Sequence, residues 1–80
     1  MGAAARSLVE LRQSLREAET VISILERASQ ELTTIINWDE AVRSNPLRGR
    51  QLTSIGEQLA IERGRKTSLS RQIERLRTHP

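Results

Sequence analysis

Residues 7–36 read SLVELRQSLREAETVISILERASQELTTII, and the spacing of their apolar side chains decides the fold class. Leu8, Leu11, Leu15, Ala18, Ile22, Leu25, Ser29, Leu32 and Ile36 follow one another at alternating intervals of three and four. Eight of these nine positions are apolar. A helix carries such residues as one continuous stripe, the heptad seam of a coiled coil. Val21, Ala28 and Ile35 each precede a seam position and widen the stripe, and Ile24 widens it less tidily. Ser7-Leu8-Val9-Glu10 has the pattern of a capping box, which predicts a helix start there. No Pro or Gly interrupts residues 7–44. A long helix follows.

Working outward, the first helix has two candidate ends. Asn37 stops it if Trp38-Asp39-Glu40 turns the chain; otherwise it runs to about Arg43. Ser44-Asn45-Pro46 is clear punctuation, because Asn is a good N-cap and Pro suits the first helical position. A second helix then runs from Pro46 to about Arg77, although Ser54-Ile55-Gly56-Glu57 offers a competing start. The earlier start makes two helices of nearly equal length, each about 50 Å long. The expected architecture is all-α. A single helical-hairpin domain spans residues 1–80, with antiparallel helices over about 8–42 and 47–77 and a turn over about 43–46. Two such hairpins pairing would make a four-helix bundle.

The second seam reads Leu52, Ile55, Leu59, Glu62, Lys66, Leu69, Ile73 and Leu76, and its middle is polar. In a hairpin turning near residue 45, facing positions sum to about 90. Ile24, Leu25 and Ala28 then face the stretch Glu62-Arg63-Gly64-Arg65-Lys66. The first helix therefore offers more apolar surface than the second can cover. Gly49, Gly56 and Gly64 each cost about 1 kcal/mol relative to Ala inside a helix. They read either as sites of close helix approach or as helix-weakening surface positions, with Gly64 a possible break.

Composition narrows the function. Eighty residues allow one domain, whose apolar core supplies only about 3–5 kcal/mol. The absence of Cys excludes disulfides, zinc ribbons, thiol catalysis and iron–sulfur ligation. Apolar runs are too short for a membrane span, and no secretory signal is evident, so a cytoplasmic location is expected. The pI of about 11.0 is inflated because a single Lys and no Tyr or Cys titrate between neutrality and the Arg range. Charge distribution says more. Residues 1–43 carry five Arg and seven acids, whereas residues 44–80 carry seven Arg and Lys66 against Glu57, Glu62 and Glu74. The halves are of opposite sign, which favours their folding together as readily as binding a polyanion.

No catalytic, metal-binding or cofactor-binding constellation emerges, so no enzyme is expected and no cofactor is assigned. His79 is the sole His and adjoins the terminal Pro80. Asp39-Glu40 reads as acids at a helix end, and no phosphate-binding glycine loop is present. Arg63, Arg65 and Lys66 form a basic group that suits an Arg-rich nucleic-acid-binding regulator or antitoxin-like protein. With one Trp and no Tyr or Phe, there are too few aromatic residues for base stacking, which weighs against it. Trp38, the one aromatic residue, reads either as a cap closing the seam at the turn or as an anchor in a partner interface.

In size, paired helices and surplus apolar stripe, the chain resembles the small helical-hairpin co-chaperones of the bacterial type III secretion needle over roughly residues 8–77. The resemblance implies a non-enzymatic chaperone or adaptor subunit that holds a helical client. No functional residue carries over from that family. From the seam itself, the expected partner-binding residues are Val21, Ile24, Leu25, Ala28, Ile35 and Trp38. They would be covered by a helical protein partner or by a second copy of the chain.

Overall fold

The computed structural model describes residues 3–78, with side-chain surroundings from Ser7 to Thr78. Three helices follow one another: α1 (Ala3–Trp38), α2 (Glu40–Arg43) and α3 (Pro46–Thr78). The two long helices pack side by side along their length as an all-α hairpin. At 1.5 Å per residue, α1 alone accounts for about 54 Å of the 58 Å long axis.

The heptad stripes meet. Ala18, Ile22, Leu59, Leu69 and Ile73 are buried, and Leu8, Leu11, Leu15, Leu25, Ser29, Leu32, Ile36, Leu52, Ile55 and Leu76 are half-buried around them. No large side chain is wholly removed from solvent among the described residues. Two helices enclose a seam on two sides only, so water reaches its edges. Arg63 on α3 reaches Glu26 on α1 at 3.5 Å, which places the facing register within one residue of the expected one. Both side chains are largely exposed, and such a pair contributes at most a few tenths of a kcal/mol.

Three sequence expectations are corrected here. The first helix already includes Ala3, so Ser7 lies inside it and caps nothing; Ala3-Ala4-Ala5 are the strongest helix formers and carry the helix past that signal. Nor does the first helix run unbroken to residue 42. Asp39 is extended (φ −121°, ψ 109°), and its Oδ1 accepts from the Ala41 and Val42 amides at 3.0 and 3.3 Å, which caps the separate helix α2. Lys66 is exposed rather than part of the seam. The preferred start at Pro46 agrees with the structure: Ser54, the competing start, lies inside α3, and the alternative break at Gly64 does not occur.

The turn itself matches its sequence signature. Asn45 Oδ1 accepts from the Leu47 amide at 3.0 Å while its carbonyl accepts from the Arg48 amide at 3.0 Å, and Pro46 occupies the first helical position. Asn45→Ala removes that cap and is expected to cost about 1 kcal/mol, measured as a lower urea midpoint with an unchanged slope. An unchanged midpoint would show that the turn is held by something else.

Candidate helix-docking face

The six residues expected to meet a partner do not share one environment. Leu25 belongs to the seam and is half-buried, so α3 already covers much of it. Ala28 is half-buried at the seam's edge. Val21, Ile24, Ile35 and Trp38 are exposed, by 38%, 62%, 47% and 87%. Trp38 therefore does not close the seam. Nor does Ile24 face the polar middle of α3; it points outward. Thr20, Ser23, Ile24, Arg27, Ala28 and Glu31 line a shallow groove along the outer side of α1.

Helical phase explains the division. Val21, Ile24, Ala28 and Ile35 each precede a seam residue, so they lie about 100° around α1 from the seam. They form a second stripe beside the first. A helix with two apolar stripes at that angle packs against two neighbours, as helices of a four-helix bundle do. Among the described residues, α1 has one long helix beside it, α3. α3 adds two exposed apolar residues that its polar sequence hides, Leu47 and Ile61, which are 57% and 68% exposed. Neither belongs to the α3 seam, and an isolated apolar residue carries no period to reveal it.

At the polar interruption, Glu62 lies half-buried beneath the seam. Its Oε2 is shielded from solvent with no hydrogen-bond partner, and the nearest cation is Arg65 at 3.9 Å. A carboxylate there weakens the middle of the hairpin, since shielding a charge without hydrogen bonds is costly. The basic group splits: Arg63 is drawn to Glu26 and Arg65 to Glu62, whereas Lys66 has no carboxylate within 4 Å among the described residues. Arg63, Lys66, Thr67, Ser70, Arg71 and Glu74 line a shallow groove on α3.

Among the described residues, no three His, Cys, Asp or Glu side chains converge. His79 lies outside them. No described helix is long and apolar enough to cross a membrane. Comparison with protein-family models, with curated proteins and with solved structures returned no match. Fold and surface together define a two-helix coiled-coil hairpin with an uncovered apolar stripe.

Proposed function

We propose that the chain is a non-enzymatic binding subunit of the chaperone or adaptor kind, which packs the outer stripe of α1 against the helix of another polypeptide. The carrying observation is that stripe, where Val21, Ile24 and Ile35 follow helical spacing yet remain exposed. Isolated apolar residues on a surface need no explanation, whereas a periodic row of them beside a thin core is an unfilled helix contact. A helix laid along it would complete the packing and stabilise the hairpin through mass action. The resemblance to type III secretion needle co-chaperones suits this mode, in which a hairpin holds a helical client out of solvent.

Co-expression with the products of adjacent genes, followed by affinity capture and circular dichroism, tests the reading. The double variant Val21→Glu/Ile24→Glu is expected to lose a captured helical partner while keeping its helicity, because neither side chain is buried. Binding that survives both substitutions contradicts the proposal. Duplex DNA retained at low salt, released at moderate salt and dependent on Arg63, Arg65 and Lys66 would favour nucleic-acid binding, the reading suggested by the basic groove on α3.

A further inference from the structure

We infer that a second copy of this chain packs against the face that carries the outer stripe, with both turns at the same end, so that α1 of each copy lies along α3 of the other. This rests on the stripe being a helix-docking face and names one occupant of it.

The first observation is how the face is built. Glu26 and Arg63 each follow a seam residue, and they meet on one flank of the hairpin. Residues that precede a seam position, on either helix, therefore share the opposite flank. Val21, Ile24, Ile35 and Ile61 precede seam positions, and Trp38 and Leu47 share the phase two heptads from Ile24 and Ile61; they are six of the seven exposed large apolar residues described. Only Val9 falls elsewhere. The exposed large apolar residues of both helices thus gather on one flank, and a single client helix on α1 would leave Leu47 and Ile61 uncovered.

Area is the second observation. The chain exposes 6307 Å². A compact monomer of this mass exposes about 4,900 Å², so the excess is about 1,400 Å². A stable interface removes about 800 Å² from each partner, well within that excess.

Charge supplies the third and chooses the orientation. On this flank α1 carries Glu10, Glu17 and Glu31, and α3 carries Arg65 and Arg75. Among the described residues, Arg63–Glu26 is the one ion pair joining the two helices, so the opposite charge of the halves is scarcely used within the chain. A two-fold axis along the hairpin lays α1 on α3 of the second copy at the level it has in its own chain. Ala28 then faces Ile61, Trp38 lies near Leu47, and Arg75 falls between the levels of Glu10 and Glu17. A two-fold axis across the hairpin lays α1 on α1 and α3 on α3, acids against acids and arginines against arginines, where like charges repel.

Sedimentation equilibrium of the intact chain should give twice the 9.1 kDa chain mass. Ile61→Glu, at an exposed position of α3, should return the mass to that of one chain with helicity retained, and Ile61→Leu should keep the dimer. The chain has no native Cys, so an oxidised mixture of Ala28→Cys and Ile61→Cys chains should yield the mixed disulfide. A wild-type chain that is monomeric at every concentration overturns the inference, as does a dimer that persists in Ile61→Glu. A self-disulfide of Ile24→Cys without the mixed species also overturns it, in favour of α1 on α1. A monomer that still captures a helical client through Val21 and Ile24 would overturn this inference alone and leave the proposed function standing.

Discussion

Ile22→Ala is expected to unfold most of the hairpin. Ile22 is 7% exposed at the centre of the seam, and truncating a buried Ile costs about 2–5 kcal/mol through lost transfer energy and the void left behind. The whole core of a chain this size supplies only about 3–5 kcal/mol, so one such change consumes nearly all of it. Val9→Ala is the matched control. Val9 is exposed and lies off both apolar stripes, so its truncation should stay within about 0.5 kcal/mol of wild type. Circular dichroism at 25 °C reads both, with helicity largely lost in Ile22→Ala and kept in Val9→Ala. Equal losses in the two variants would contradict the seam described here.

The second large effect runs in the opposite direction. Gly49, Gly56 and Gly64 all lie inside α3 with ordinary helical backbone, and a Cβ added at any of them meets no atom within 4 Å. Nothing within the hairpin requires glycine there. Each Gly→Ala change should therefore add about 1 kcal/mol through helix propensity and a less flexible unfolded chain. The sites are seven and eight residues apart, far enough that the triple variant should gain about 3 kcal/mol. For a domain of this size that raises Tm by about 12 °C or more. A fall in Tm would show that this flank of α3 does not face solvent but lies against another backbone.

The sequence made the hairpin legible because the signal is periodic and long. Nine seam positions on α1 reinforce one another, so spacing alone puts Leu8 through Ile36 on one face. The turn was equally clear, since Asn45-Pro46 combines a capping side chain with a residue that tolerates only a helix start. Single-residue signals fared worse. Ser7 has the same local pattern as a true cap, and only the alanines upstream decide that the helix passes through it. Asp39 breaks the first helix because its carboxylate satisfies the amides of Ala41 and Val42, a competition between side chain and backbone that composition does not rank.

The candidate face was half legible. Its α1 stripe follows from helical phase, and Val21, Ile24 and Ile35 are exposed as that phase requires. Leu25 follows the seam's own period, and α3 therefore covers much of it instead of leaving it to a partner. Ile61 and Leu47 were missed because they stand alone among polar neighbours, and only the antiparallel packing brings their flank beside the α1 stripe. The opposite charge of the two halves was visible in composition. That so little of it is spent between α1 and α3 was not, because a charge count cannot say which side chains meet.

Collisional quenching of Trp38 by iodide tests the docking face most directly. Trp38 is the only aromatic residue, it is 87% exposed in the single chain, and it stands at the tip of the apolar flank. Quenching is expected to fall as the chain is concentrated or as a helical client is added, and to stay high in Val21→Glu/Ile24→Glu under the same conditions. Quenching that remains equally high in both proteins, across the whole concentration range and with each candidate client, would contradict a helix-docking role for this face.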